Sequence, residues 1–250
     1  MWKSINSARF SIRHNMAVTT AVILAGGLGT RLRSLVPDLP KPMAPIGGRP
    51  FLAYQLDYWI AQGIARFVLS VGYRHEAITA YFRTRYKGVD LEYVIEERPL
   101  GTGGGLLLAA EKVGHERPFL LLNGDTYFAA DWKVLSAYAL AHDADWCLSL
   151  FRTSEEGRYM GIEVLPDGLI TSLKSGRAQG RLANGGVYWV HPRALRGGRF
   201  APGEKASLEN DIFPVALASG QRLFGVEFTG TFIDIGVPED YHRAATLLAV

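Results

Sequence analysis

The chain has 250 residues, of which 48% are hydrophobic and 20% charged, with 28 glycines, a single cysteine and a formal net charge of +3. That length and apolar content support one sizeable core and exclude a disordered chain, a collagenous chain and a small disulfide scaffold. The excess charge belongs to residues 1 to 16, which carry Lys3, Arg9 and Arg13 and no acid. The remainder is balanced, so the clustered cations of a duplex-binding surface are missing and no nucleic-acid partner is expected.

Residues 1–17 lack both the apolar stretch of a signal peptide and a small-residue cleavage site. They read as an N-terminal extension, with Met16 as an alternative start, ahead of one domain over 18–250. No uninterrupted apolar run approaches the roughly 20 residues that span a bilayer, so no membrane partner and an intracellular, cytoplasmic location are expected. From Thr20 onward, short β-rich apolar runs alternate with segments of helical periodicity, the pattern of βα units on a parallel sheet. Strands are predicted at Ala21 to Ala25, Phe67 to Val71, Leu91 to Ile95, Phe119 to Leu122 and Trp146 to Phe151. Helices are predicted near 51–62, 75–86, 103–113 and 132–142. Beyond 151 the rhythm shortens to glycine-punctuated strands at 161–165, 169–173, 186–190, 223–228 and 231–235. A helix from Ser207 to Ala218 is interrupted by Pro214, and a last helix starts at Pro238, where a fixed φ suits the first turn. The fold class is α/β: a Rossmann-like, mixed but mostly parallel central sheet flanked by helices, with a small mixed-sheet lobe.

The run Leu24-Ala25-Gly26-Gly27-Leu28-Gly29-Thr30-Arg31-Leu32 directly follows the first strand. Glycines there let backbone N–H groups turn toward an anion without a Cβ in the way, and a phosphate chain is the natural guest. It is not a P-loop, because no Lys-Ser or Lys-Thr follows, and Leu32 replaces the third glycine of the dinucleotide fingerprint. Arg31 adds a planar fork and Lys41, between Pro40 and Pro42, a point charge on a stiff segment. The competing reading is a surface loop with two solvated cations.

Asn123-Gly124-Asp125 ends a run that reads as a buried central strand. It either closes a hairpin or presents Asp125 at the carboxyl end of that strand, where α/β sheets bind ligands and where a carboxylate suits Mg²⁺. Asp234 interrupts the apolar strand 231–235; facing inward it must be paired or metal-bound, facing outward it is ordinary alternation. Glu96-Glu-Arg-Pro99-Leu-Gly101-Thr102-Gly103-Gly-Gly105 leads into a helix, whose exposed donors could meet an anion or the edge of a base. Asn184-Gly-Gly186 and Glu209-Asn-Asp211 either bond sugar hydroxyls or close turns and cap helices. The six histidines show no metal-ligand spacing, no nucleophile elbow is present, and Cys147 in its apolar strand reads as inert packing.

LAGGLGTRL followed by Lys41-Pro42, Pro99-Leu-Gly-Thr-Gly-Gly104, Gly124-Asp125, Asn184-x-Gly186 and Phe232-Ile-Asp-Ile-Gly236 with Pro238-Glu-Asp240 together resemble the sugar-1-phosphate nucleotidyltransferases over residues 18 to 245. Within that superfamily, Pro37 to Pro45, Leu69-Ser-Val-Gly-Tyr73 and Glu96-Glu-Arg-Pro-Leu-Gly-Thr-Gly are most similar to D-glycero-D-manno-heptose 1-phosphate guanylyltransferases. The resemblance implies that Leu24, Ala25, Gly26, Gly27, Gly29, Thr30 and Arg31 cradle the triphosphate with Lys41 near its α-phosphate. It further implies that Asp125 and Asp234 hold Mg²⁺, that Pro99, Gly101, Thr102 and Gly103 meet the base, and that Gly161, Asn184, Gly186 and Glu209 line the sugar pocket. Arg31, Lys41 and Asp125 would be catalytic. Many relatives carry Glu-Lys-Pro where this chain has Leu173-Lys-Ser-Gly176, so Lys174 or Arg177 would take over the sugar-phosphate contact. The chain stops at Val250, without the C-terminal left-handed β-helix of some larger relatives; a homodimer is compatible with the family. The implied reaction joins GMP from GTP to a heptose 1-phosphate. Uridylyl or thymidylyl transfer to a hexose or amino-sugar 1-phosphate, and a catalytically inactive nucleotide-sugar-binding homologue, are the alternatives.

Overall fold

β1 (Thr20–Ala25) is buried on both faces, with Ala21 and Ile23 turned into one core and Val22 into another. The computed structural model describes residues 18–33, 35–153, 159–174 and 181–248; the extension 1–17, Arg177 and the side chains of Lys174 and Arg181 lie outside the described residues. After β1 come a 3₁₀ turn, Lys41–Met43, the two-residue strands β2 (Pro45–Ile46) and β3 (Arg49–Pro50), and α1 (Phe51–Ala61). β4 (Arg66–Val71), α2 (His75–Phe82), β5 (Arg85–Tyr86), β6 (Val89–Ile95), α3 (Gly101–Val113), β7 (Phe119–Asn123), β8 (Thr126–Phe128) and α4 (Trp132–Ala141) follow. The second half holds β9 (Trp146–Thr153), β10 (Gly161–Val164), β11 (Ile170–Lys174), β12 (Arg181–Val190), a π turn at Leu208–Ile212, α5 (Phe213–Ala218), β13 (Leu223–Glu227), β14 (Phe232–Asp234) and α6 (Pro238–Leu248).

The centre of the sheet is the parallel set β7-β1-β4-β6. Such strands must be covered on both sides, which is why they read as unbroken apolar runs. Leu56 and Trp59 of α1, Phe82 of α2 and Leu135 of α4 cover one face; Leu106 and Ala109 of α3 with Phe213 of α5 cover the other. β12 runs antiparallel to β7 along Val187–Val190, then passes to β10 through Leu182 and Ala183, while β9 lines its other edge. The lobe is therefore a continuation of the main sheet. Among the described residues no helix is long and apolar enough to cross a membrane.

A third apolar cluster decides where the chain's end goes. Leu32 and Val36, just after the glycine loop, pack with Ala44, Phe51, Ile233, Ile235 and Ala244. Burying Ile233 and Ile235 in this cluster leaves Asp234 on the opposite side of its strand, by the period-2 alternation. β14 pairs antiparallel with β8 in register Asp234 opposite Thr126. The short β8-β14 ladder thus carries one distant carboxylate to the neighbour of the other.

Several sequence expectations are corrected. The helix predicted over 75–86 stops at Phe82, because Arg83 takes φ 54° and Arg85–Tyr86 pair with β6 through a turn in which Lys87 (φ 48°) and Gly88 (φ 85°) are both left-handed. Pro214 does not interrupt its helix: it stands in the first turn of α5, and the irregularity lies upstream, where Ile212 N bonds Ser207 O in a π turn. Asn123-Gly124 closes no hairpin, since β8 pairs with β14 rather than β7. Asn184-Gly-Gly186 closes no turn either; it sits inside β12, where the register against β9 shifts.

The β8-β14 junction tolerates no side chain at Gly230, where a Cβ would come within 2.1 Å of the Ala129 carbonyl oxygen. Backbone must move to relieve that, so Gly230→Ala is expected to destabilise the protein by about 1–3 kcal/mol. The check is a lower urea midpoint at unchanged slope.

Candidate active site

The carboxyl ends of β1 and β7 open into a cavity of about 580 Å³. Its floor on one side is the glycine loop. Gly29 holds φ 57°, and a Cβ there would meet Lys41 Cβ at 3.1 Å, so this glycine both turns the loop and lets the lysine segment approach. Among the described residues, the N–H groups of Gly27, Leu28 and Gly29 donate no hydrogen bond. Free, clustered amide donors beside a cavity are an anion cradle.

The same cavity holds the two aspartates. Lys41 Nζ lies 2.6 Å from Asp125 Oδ2 and 3.8 Å from Asp234 Oδ1, so one ammonium draws together carboxylates from β14 and from the end of β7. Gly236 N–H also donates to Asp234 Oδ1 at 2.7 Å, and the Asp125 carbonyl accepts from Ile235 N–H at 3.0 Å. Desolvation in the cleft pushes the Asp125 carboxyl upward, but the charge and hydrogen bond of Lys41, helped by Thr126, more than offset it and hold it below the ordinary 3.8. Two hard oxygen donors this close fit Mg²⁺, which takes one or two carboxylates together with phosphate oxygens. Among the described residues no cluster of three or more metal-ligating His, Cys, Asp or Glu occurs, so a site of protein ligands alone is not what this pair offers.

The far side is built by α3 and the π turn. Thr102 Oγ1 donates to Glu209 Oε2 at 3.1 Å and accepts from Leu208 N–H at 2.8 Å; Ser207 Oγ donates to the same Glu209 oxygen at 3.0 Å. The wide π turn is what brings Glu209 and Ser207 onto the first turn of α3. Gly103 N–H and Gly104 N–H both donate to Ala206 O, so the start of α3 is satisfied by this segment rather than by a ligand. Asn184 Nδ2 donates to the buried Tyr188 hydroxyl at 2.7 Å and its Oδ1 accepts from Gly186 N–H at 3.1 Å. Asn123 Oδ1 is buried at the cavity wall with no hydrogen-bond partner, an acceptor that a ligand hydroxyl would satisfy.

Of the residues singled out from the sequence, Leu24, Gly26, Gly27, Gly29, Thr30, Pro99, Gly101, Thr102, Asp125, Asn184, Glu209 and Asp234 line the cavity, and Lys41 bridges its aspartates. Ala25, Gly103, Gly161 and Gly186 stand behind the wall. Arg31 is exposed on the turn after the glycine loop and is outside the lining. Lys174 ends β11 opposite Gly161, with its side chain beyond the described residues.

Glu96, Lys205 and Asn123 join the cavity without a role assigned from the sequence. Glu96 accepts from Ser70 Oγ at 2.9 Å and from Leu100 N–H at 3.1 Å, and its carboxyl occupies the space where Gly26 would carry a side chain. A carboxylate at the carboxyl end of β6, ahead of a glycine-rich helix start, was the available signal. Among the described residues, Lys205 is the one cation lining the cavity, against Glu96, Asp125, Glu209 and Asp234.

The family model described as "Nucleotidyl transferase" matches residues 20–249. The chain is 39% identical to the D-glycero-alpha-D-manno-heptose 1-phosphate guanylyltransferase of Aneurinibacillus thermoaerophilus, covering 90% of this chain and 96% of that one. It is 39% identical to the protein of the same name from Campylobacter jejuni, covering 89% and 97%. Among solved structures, HddC from Yersinia pseudotuberculosis complexed with GMP-PN superposes with a TM-score of 0.79 at 32% identity, covering 92% of this chain and 99% of that one.

Lys41 sets the charge state of this site. In chelator-treated protein, Lys41→Met should raise the Asp125 carboxyl above 3.8, read by carboxyl ¹³C chemical shifts, because desolvation then acts without its counterion. A depressed carboxylate contributes stability above its unfolded pKa and loses it as pH falls through the folded value. The deficit of Lys41→Met relative to wild type should therefore be full at neutral pH, begin to shrink as pH falls through the variant's raised value, and go on shrinking below 3.8 toward the depressed wild-type value.

Proposed function

The chain belongs to the nucleotidyl transferase family, and from that premise we propose that it transfers GMP from GTP to a D-glycero-α-D-manno-heptose 1-phosphate, forming GDP-heptose and releasing pyrophosphate. The observation that carries the reading is the convergence of Asp125 and Asp234 on Lys41, in one cavity with the free amides of the glycine loop.

Two polyanions must be brought together, so the work of the site is alignment and charge neutralisation. The sugar phosphate is already ionised at neutral pH and attacks the α-phosphorus in line, with pyrophosphate as leaving group; no side chain has to remove a proton. The amides of Gly27, Leu28 and Gly29 hold the triphosphate, and Lys41 places positive charge at its α-phosphate. Asp125 and Asp234 would hold Mg²⁺, which when bound supplies the charge neutralisation that a cleft with four carboxylates otherwise lacks. Arg31, exposed beside the loop and outside the cavity lining, would have to turn inward to meet the departing pyrophosphate. Glu209, Asn184 and Asn123 receive the sugar hydroxyls, with Lys174 at the sugar phosphate.

Glu96 supports guanine as the base. A carboxylate has about four acceptor sites, two of which serve Ser70 and Leu100, leaving acceptors for the N1–H and N2–H₂ donors on the edge of guanine. Uracil and thymine offer a single N–H there. The names of the relatives at 39% identity point the same way for both base and sugar. A nucleotide-sugar synthesis of this kind belongs in the cytoplasm, beside GTP, and its product suits capsule or lipopolysaccharide assembly.

Pyrophosphate release should be measured with four nucleoside triphosphates against heptose, mannose and glucose 1-phosphates, with and without chelator. GTP with heptose 1-phosphate is expected to lead and chelator to abolish turnover; a preference for UTP or dTTP would overturn the guanylyl reading. Asp125→Asn and Asp234→Asn should remain folded by circular dichroism and lose about 10²-fold or more in kcat. Glu96→Gln should cost about 10- to 100-fold in kcat/KM for GTP and erase its advantage over ITP, which lacks the 2-amino group.

A further inference from the structure

Tyr73 lies just past β4, where the chain presses on the glycine loop: a side chain on Gly72 would meet the Gly26 carbonyl oxygen at 2.9 Å. Two guanidinium groups lie over its ring. Arg33 Cζ is 5.0 Å and Arg74 Cζ 5.6 Å from the ring centroid, within cation–π range. Each arginine has a second attachment. Arg33 Nη2 donates to the Leu28 carbonyl in the glycine loop at 3.4 Å. Arg74 Nη1 donates to the Asp38 carbonyl and stands 3.3 Å from the Asp38 carboxylate. Leu28 and Asp38 bracket the segment that carries Arg31 and runs on to Lys41. Arg74 makes its contacts from a left-handed conformation, φ 50° and ψ 39°, which costs a non-glycine residue energy and persists only where neighbours enforce it. Tyr73 is half-buried and outside the cavity lining, so the transfer reaction as described makes no use of it.

We propose that Tyr73 is a positioning residue for the nucleoside triphosphate. Its ring is the common seat of Arg33 and Arg74, which fasten the two ends of the 28–38 segment and so aim the loop amides and Arg31 at the phosphate chain. Planar guanidinium groups suit this role because they stack and hydrogen-bond at once, which a lysine cannot do. The inference rests on reading the cleft as a nucleotide site, and it assigns the ring, not the hydroxyl, as the working part. Because the sugar 1-phosphate is held by other elements, loosening the strap should weaken the nucleotide and leave the sugar phosphate alone.

The test compares wild type, Tyr73→Ala and Tyr73→Phe in KM for each substrate, kcat, equilibrium binding of a non-hydrolysable GTP analogue, and thermal midpoint. Tyr73→Ala is expected to raise the GTP KM and the analogue Kd about ten-fold, the size of losing two exposed cation–π contacts. Its sugar-phosphate KM should stay within about two-fold. Tyr73→Phe should restore the wild-type values. An unchanged GTP KM in Tyr73→Ala overturns the proposal; so does a parallel loss of both KM values with a fallen midpoint, and so does a phenylalanine variant that behaves like alanine. Should wild type prefer another triphosphate, the guanylyl reading fails, and the same comparison with that nucleotide and its analogue still decides the strap.

Discussion

The structure turns on one short ion pair, Lys41 Nζ to Asp125 Oδ2 at 2.6 Å, with Asp234 at 3.8 Å on its other side. Three separate stretches of chain must be right for it to form. Lys41 is fixed in a 3₁₀ turn between two prolines, Asp125 follows a central strand buried on both faces, and Asp234 is carried in by a three-residue strand. Each stretch is held by apolar packing, which is non-directional, and only the ladder register converts that packing into a contact accurate enough for chemistry. The small third core, in which Leu32 and Val36 meet Ile233 and Ile235, is the physical link between the loop that would bind phosphates and the strand that bears the second carboxylate.

The electrostatics of the cleft follow from what it must hold. Four carboxylates line it, with Lys205 among the lining and Lys41 between two of the aspartates. A polyanion enters such a space only in company with cations, which is why the proposed reaction gives the acidic pair a divalent ion to hold. The same lysine that holds the metal-free Asp125 carboxyl below its ordinary pKa is thus suited to meet phosphate under the proposed reaction. Positioning is distributed more widely than the cavity wall: Glu209 is set by a π turn, Glu96 by Ser70 and Leu100, and the loop by contacts on Tyr73. Wide turns of this kind are costly in a helix and often mark functional sites.

Much of this was legible from residues alone. The central strands announced themselves as unbroken apolar runs because both faces are covered, and the glycine loop announced itself because Gly26 and Gly29 pack where a Cβ would strike Glu96 and Lys41. The errors have local causes. Arg83, Lys87 and Arg74 adopt left-handed conformations that no residue-type signal advertises in arginine or lysine, so the end of α2 and the β5-β6 turn were invisible. Pro214 looked like a helix breaker when it begins a helix, since proline at an interior position and at a first turn are the same letter in different contexts. Glu96 stood in plain view at a strand end, yet nothing in its spacing said that it would fold over Gly26.

Sequence by itself determined the alternation of elements, the parallel core, the position of the glycine loop and the list of acids and bases available, because those depend on periodicity and on what single residue types allow. Only the tertiary structure decided which of them meet. Whether Asp234 faced inward was open until the strand register and the burial of its neighbouring isoleucines settled it. The convergence of a residue near the start of the chain with others from its middle and its end is a long-range packing outcome, and no local spacing encodes it.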